Sequence, residues 1–151
     1  MLNFILKRRK PIGSAAKVDF RAYVQELCAD LSALLLYDNT KRKIFVSGTD
    51  GSLPVSVAIP LGFIVSELVT NSAKHTEGDI NVHVADDSTG HALVVTDTGF
   101  GLPDGFDPAH SKGLGMTIMR SLVKQIGGKL QLSPGKYGSG TTVTVTFPLP
   151  A

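Results

Sequence analysis

The sequence predicts a two-layer α/β sandwich in which three helices lie on one face of a mixed, mainly antiparallel sheet of about five strands. Three observations lead to this fold class. Three segments carry apolar residues at helical spacing, shorter segments alternate between apolar and polar residues, and turns rich in glycine separate them. With 151 residues, the chain is long enough to bury about two thirds of its unfolded surface without disulfides or metals.

The first helix is predicted over residues 18–36, with Asp19 placed to cap its N-terminus. Its apolar residues at helical spacing are Phe20, Tyr23, Val24, Leu27, Leu31, Leu34 and Leu35. A short strand is predicted at residues 43–47, followed by a turn at 48–52. Residues 1–17 are interpreted as a linker or the end of an upstream element, so the domain is predicted to span residues 18–151.

The central helix, predicted over residues 57–76, has two distinct faces. One face is apolar and consists of Leu61, Ile64, Val65, Leu68, Val69 and Ala73. The other carries Glu67, Asn71 and His75 four residues apart, with Lys74 beside them. Asn costs roughly 0.5 kcal/mol against Ala in a helix, so Asn71 indicates a functional requirement. A solvated helix face remains the alternative interpretation of this row.

The second half of the chain alternates strands with one more helix. Residues 79–86 and 91–97 predict an antiparallel hairpin, and a loop of about fifteen residues follows it. A helix is predicted at 115–126 through Met116, Ile118, Met119, Leu122, Val123 and Ile126. Gly127 and Gly128 end this helix, and strands at 129–133 and 141–147 close the sheet.

Composition limits the classes of partner. The formal net charge is only +2, and the basic run at residues 7–10 accounts for it, so no nucleic-acid partner is expected. Cys28 has no second cysteine to pair with, which excludes a disulfide scaffold and favours a reducing compartment. The mostly apolar residues 2–6 precede the basic run and are too few to cross a membrane. We therefore expect a cytoplasmic protein, and membrane contact is not indicated within this chain. A weak membrane-surface or nucleic-acid contact of the basic run is the alternative.

A carboxylate and a set of glycines suggest a purine site. Asp97 follows a predicted buried strand, so its carboxylate can accept a hydrogen bond from an exocyclic amine such as adenine N6. Gly99 and Gly101 allow the backbone to pass close to a flat ligand. A hairpin exit turn with a capping Asp is an equal alternative for this motif alone.

Phosphate and metal ligands are predicted near the two later helices. Gly113, Leu114 and Gly115 open a helix whose free N–H groups can bind phosphate, with Lys112 at the rim, although a flexible helix entry explains them too. Asn71 offers the hard oxygen that Mg²⁺ accepts. Glu67 can orient or deprotonate the attacking group, and Lys74 can balance phosphate charge. His83, His91 and His110 have no spacing partner for a metal site.

In this order the motifs resemble those of the GHKL ATPase superfamily. Residues 67–75 look like its N box, 97–101 like its G1 box, 113–115 like its G2 box and 140–141 like its G3 region. The catalytic ATP-binding domains of sensor histidine kinases of the HWE and HisKA_2 types are most similar, through the Pro-Leu-Gly lead at 59–62 and the short lid at 102–107. The resemblance covers residues 18–148.

The resemblance implies the Bergerat sandwich and a nucleotide site with ATP and Mg²⁺. It implies Mg²⁺ on Asn71, a catalytic or water-positioning role for Glu67, phosphate contact from Lys74 and adenine on Asp97. The remaining predicted nucleotide-binding residues are Gly99, Gly101, Lys112, Gly113, Leu114, Gly115 and Thr141. Thr98 and Ser72 depart from the usual family residues without removing a ligand.

The predicted function is that of a protein-histidine kinase catalytic domain. It would transfer the γ-phosphoryl group of ATP to a histidine on a separate dimerisation domain, because no histidine precedes His75. Its expected partners are that domain, without which activity should be poor, and a response regulator. The alternatives are a free-standing serine kinase that acts as an anti-sigma factor and a nucleotide-binding module without turnover.

Overall fold

The computed structural model describes residues 16–35, 43–75, 78–87, 90–97, 113–134 and 140–148. Within these ranges the chain forms three helices and seven strands. In chain order they are β1 (Lys17–Asp19), α1 (Phe20–Leu35), β2 (Ile44–Gly48), β3 (Ser52–Pro54), α2 (Val55–His75), β4 (Ile80–Asp87), β5 (Gly90–Asp97), α3 (Leu114–Gln125), β6 (Lys129–Pro134) and β7 (Thr141–Phe147).

The main sheet has five strands in the order β2-β4-β5-β7-β6. β2 pairs with β4 in parallel, and the other three pairs are antiparallel. A parallel pair needs a crossover connection, and α2 supplies it. The predicted mixed, mainly antiparallel sheet with three helices is thus confirmed. β1 and β3 form a separate antiparallel ribbon, with Val18 opposite Leu53.

The core lies between the sheet and the helices. Alternate residues of the central strands point into it and are less than 10% exposed: Ile80, Val82, Val84, Leu93, Val95, Val143, Val145 and Phe147. α2 packs against both other helices, and its predicted apolar face is buried against the sheet. This helix is also long and apolar enough for a membrane span, but half of the relevant stretch is buried inside the fold.

Helix ends follow the predicted chemistry. The Ala22 N–H donates to Asp19 Oδ1 at 3.2 Å, so the predicted N-terminal cap of α1 is confirmed. At the end of α3, Gly127 adopts a φ of 71°, and its N–H bonds the Lys124 carbonyl while the Gly128 N–H bonds that of Val123. These two hydrogen bonds form a Schellman motif, which ends α3 at the position that the two glycines indicated in the sequence.

Two apolar residues that were predicted to be buried are exposed. Leu34 is 64% exposed because burial decreases along α1 toward its C-terminal end. Ile118 is 38% exposed because, at about 100° per residue, it lies on the opposite side of α3 from Met116. The strands β1 and β3 were not predicted, since a strand of three residues is too short to show alternation.

Candidate functional site

The polar row of α2 lies against the first turn of α3. Glu67 and Asn71, one turn apart on α2, are both partly buried. A Cβ built on Gly115 would lie 2.1 Å from Oε2 of Glu67, so the carboxylate occupies the space beside this glycine. The Asn71 Nδ2 donates to the Met116 Sδ at 2.9 Å. The structure therefore brings Glu67 and Asn71 of α2 against Gly115 and Met116 in the first turn of α3.

The start of α3 is built without a side-chain cap. Gly113 has extended backbone, with φ −64° and ψ 144°, and no side chain caps the helix. Its carbonyl accepts the backbone N–H and the hydroxyl of Thr117, both at 3.0 Å. The first N–H groups of an α-helix have no intrahelical acceptor, and the helix dipole favours an anion at this end. This end of α3 can therefore receive phosphate oxygens.

A buried carboxylate lies at the end of β5. Asp97 is only 4% exposed and pairs with Ile80 of β4 on one side and Thr141 of β7 on the other. Gly140 precedes β7 with a φ of 77°, and a Cβ there would lie 2.0 Å from the Asp97 main-chain oxygen. Only glycine lets the chain enter β7 this close to Asp97.

A short connection in the chain leads from one group of residues to the other. From His75, the last residue of α2, the chain takes five steps to Ile80, which pairs with Asp97. Five residues span at most ~17 Å. The C-terminal half of α2, which carries Asn71, therefore leads directly to the sheet end where Asp97 is buried.

The remaining predicted site residues divide into two sets. Lys74 and Leu114 lie at this end of the helices and are exposed, Leu114 by 76%. Gly99, Gly101, Lys112 and the lid lie outside the described residues, as do His110 and the side chain of His75. The sequence did not identify Met116 as a partner of Asn71. The two residues are 45 positions apart, and the helical spacing of Met116 indicated only a residue of the apolar core.

The donor set of the site suits a nucleotide-bound cation. In the described part of the chain, no group of three or more His, Cys, Asp or Glu side chains could hold a metal ion. Because its amide nitrogen is engaged by Met116, Asn71 can bind a cation through Oδ1, an oxygen of the type that Mg²⁺ prefers. Mg²⁺ commonly takes its other ligands from substrate phosphates and water, so the residues present fit this ion.

Comparison with known proteins identifies the class. Residues 56–151 match the family described as histidine kinase-, DNA gyrase B- and HSP90-like ATPases. The chain belongs to this family, as its motifs and its fold both indicate.

Two of the similar proteins in this family are histidine kinases. The chain is 34% identical over 113 residues to blue-light-activated histidine kinase 2 of Erythrobacter litoralis, which covers 71% of this chain and 32% of that protein. It is 31% identical over 109 residues to the sensor histidine kinase PdtaS of Mycobacterium tuberculosis, which covers 68% of this chain and 22% of that protein. The chain thus spans about a third or less of these relatives.

A solved structure confirms the fold over almost the whole chain. The histidine kinase domain of the E. litoralis EL346 blue-light-activated kinase superposes with a TM-score of 0.78 at 26% identity, covering 98% of this chain and 76% of that one. The chain is therefore an ATP-binding catalytic domain of the histidine kinase type, as its sequence predicted.

Proposed function

We propose that this domain binds Mg·ATP and transfers the γ-phosphoryl group to a histidine on a separate dimerisation domain. The observation that carries the proposal is the placement of Glu67 and Asn71 against the first turn of α3. In this proposal Asn71 is the cation ligand, Glu67 the proton acceptor, the start of α3 the phosphate-binding end and the buried Asp97 the carboxylate that recognises the purine.

In this proposal, Asp97 selects the base. Its carboxylate accepts a hydrogen bond from the exocyclic amine of adenine, and burial at 4% exposure makes the contact specific because little water competes for it. Guanine presents a carbonyl oxygen at the corresponding position, which the carboxylate would repel. Thr141, which is opposite Asp97 in the sheet, contributes a hydroxyl beside the base.

The phosphates then extend toward the start of α3. The N–H groups of its first turn donate to phosphate oxygens, and Lys74 at the end of α2 reduces the local negative charge. Asn71 Oδ1 would hold Mg²⁺, which when bound neutralises charge on the β- and γ-phosphates. Gly99, Gly101, Lys112, Gly113 and Gly115 remain predicted contacts of the nucleotide.

Transfer is a direct displacement at the γ-phosphorus. A nitrogen lone pair of the acceptor imidazole forms the new N–P bond, and the bond from phosphorus to the β,γ-bridging oxygen breaks, so ADP leaves with that electron pair. The imidazole must lose its N–H proton for a neutral ring to remain. The Glu67 carboxylate is the group that we propose accepts this proton, directly or through water.

The partners and the compartment follow from this chemistry. We infer that a histidine-bearing dimerisation domain of the HWE or HisKA_2 type is the acceptor, and that a response regulator receives the phosphoryl group from it. Both steps would occur in the cytoplasm, where ATP is available.

A phosphotransfer assay tests the proposal. The 151-residue chain is mixed with radiolabelled ATP, Mg²⁺ and either an isolated dimerisation domain or a small anti-sigma antagonist protein. We expect acid-labile label on the dimerisation domain, as phosphohistidine gives, and a loss of at least ~100-fold for Glu67→Gln. Acid-stable label on the antagonist would favour the serine kinase alternative, and no transfer to either would contradict catalysis by this chain.

A further inference from the structure

Met116 fixes the orientation of the Asn71 side chain. The hydrogen bond from Asn71 Nδ2 to Met116 Sδ measures 2.9 Å and joins α2 to α3. A thioether sulfur carries no hydrogen and can only accept, so the amide nitrogen faces Met116 and the oxygen faces away from it. Met116 is 6% exposed and packs within the core, which holds its sulfur in place.

This orientation matters because the two ends of an amide are nearly the same size. The χ2 torsion of Asn has a broad, roughly twofold energy profile. Without a partner that fixes it, the side chain therefore alternates between two orientations, in which either the nitrogen or the oxygen faces the cation site. A divalent cation binds only the oxygen. We propose that Met116 is a positioning residue, which holds Asn71 with Oδ1 available to the divalent cation of the bound nucleotide. This inference rests on the proposed function, in which Asn71 binds Mg²⁺.

The expected loss of Mg²⁺ affinity follows from the number of orientations that the Asn71 side chain gains. Without the bond to Met116, a second amide orientation becomes accessible, a factor of about two, and so does a second χ1 well, since the third is rare within a helix. Replacing Met116 by Leu removes the acceptor while keeping an apolar side chain of similar volume. We therefore expect Met116→Leu to weaken Mg²⁺ binding roughly two- to fourfold, and Met116→Gln to restore it through its Oε1 acceptor.

Met119 provides a matched control. It lies three residues further along α3 and is fully buried at 0% exposure. Met119→Leu makes the same chemical change in the same helix but leaves the Met116 sulfur in place. Any general loosening of α3 by a Met→Leu change should therefore appear in both variants, whereas loss of the Asn71 anchor should appear only in Met116→Leu.

The test is a calorimetric titration of Mg²⁺ into the full chain saturated with ADP. We expect Met116→Leu to weaken Mg²⁺ binding, Met119→Leu to leave it unchanged, and Met116→Leu to have no further effect in an Asn71→Ala background, as a coupled pair requires. Without nucleotide, the NMR resonances of the Asn71 side-chain amide should shift in Met116→Leu and remain in Met119→Leu.

The outcomes separate this inference from the proposed function. If Asn71→Ala retains the Mg²⁺ affinity of the natural chain, the metal role of Asn71 fails, and the positioning role of Met116 fails with it. If Asn71→Ala loses that affinity while Met116→Leu behaves like Met119→Leu, only the positioning role is overturned. Should Met116→Gln not fold, the comparison of Met116→Leu in the two Asn71 backgrounds still decides the question.

Discussion

The carboxylate of Glu67 fills the position that a side chain on Gly115 would need, since a Cβ there would lie 2.1 Å from Oε2 and 2.6 Å from Cδ. This relationship links the polar row of α2 to the glycine that opens α3. Because Gly115 has no side chain, it leaves room for the Glu67 carboxylate, the group that we propose as proton acceptor.

Gly115→Ala should separate activity from stability. The atoms that the new methyl group meets are the far end of a flexible side chain, so Glu67 should move and the fold should remain. Ala is favoured over Gly in a helix by up to about 1 kcal/mol, so the free energy of unfolding should stay equal or rise slightly. We expect phosphotransfer to fall at least about tenfold, as seen when a catalytic group is misplaced.

Urea denaturation measures the free energy of unfolding, and a phosphotransfer assay with a dimerisation domain measures the activity. Glu67→Gln is the control, since it keeps the shape of the side chain but cannot take up a proton in the same way. Phosphotransfer by Gly115→Ala at the rate of the natural chain would show that the position of Glu67 is unimportant.

Gly140→Ala should disturb the buried end of β5. Gly140 has a φ of 77°, and a Cβ there would lie 2.0 Å from the Asp97 main-chain oxygen, which cannot move without shifting the strand. Gly127 is the matched control, with a φ of 71° and only ordinary contacts at its Cβ position, the nearest with Pro148 Cγ at 3.5 Å. We expect Gly140→Ala to lower the free energy of unfolding by about 1–3 kcal/mol more than Gly127→Ala.

Urea denaturation of the two variants gives this difference, and ATP affinity should fall only in Gly140→Ala because Asp97 moves. Equal losses of stability would mean that backbone conformation alone, and not the contact with Asp97, determines the need for glycine at this position.

Gly62→Ala should show how tightly α1 packs on α2. A Cβ on Gly62 would lie 2.1 Å from the Tyr23 hydroxyl oxygen and 2.8 Å from two ring carbons, and Tyr23 is fully buried. Overpacking of this kind costs about 1–3 kcal/mol. Tyr23→Phe removes the nearest atom, so the double variant should recover part of the loss relative to Tyr23→Phe alone. Thermal denaturation of the four proteins measures the coupling, and purely additive losses would contradict it.

Buried groups make the fold sensitive to alkali. Burial raises the pKa of Cys28 from 9.0 to about 12 and that of Tyr23 from 10.0 to about 12. The unfolded chain therefore releases these protons at lower pH than the folded one. The contribution of the two groups to the free energy of unfolding is full below pH 9 and is lost as the pH rises toward 12. For each group, the free energy of unfolding falls by at most about 1.4 kcal/mol per pH unit.

Urea midpoints at pH 8, 9, 10 and 11 test this dependence. Cys28→Ala should show a shallower decline between pH 9 and 10, where the thiol of the unfolded chain loses its proton before Tyr23 does. A decline as steep as that of the natural chain would mean that the burial of Cys28 does not contribute.

Much of the fold could be predicted because its elements have regular periods. The alternation of Ile80, Val82 and Val84 indicated an inward face of β4. Of the predicted apolar face of α2, five residues are buried and Ala73 is partly buried. Glu67, Asn71 and Asp97 could be singled out because an Asn within a helix and an Asp at a strand end are unusual choices. Their proposed roles in nucleotide binding remain predictions.

Other features depend on contacts that no local pattern records. β1 and β3 exist because two segments of three residues pair with each other, although α1 and β2 separate them in the sequence. The bond between Asn71 and Met116 joins residues 45 positions apart, and a Met in a helix gives no indication that its sulfur is an acceptor. Such relationships appear only when the helices are packed together.

A titration of ATP, with and without Mg²⁺, into the natural chain and into Asp97→Asn tests whether Asp97 recognises the base. We expect ATP to bind the natural chain more tightly with Mg²⁺, and Asp97→Asn to weaken ATP binding roughly tenfold, because a hydrogen bond to a charged acceptor becomes one to a neutral acceptor. GTP binding should not fall in the variant, and circular dichroism should confirm that it is folded. Unchanged ATP affinity in folded Asp97→Asn would contradict the claim that this carboxylate reads the base.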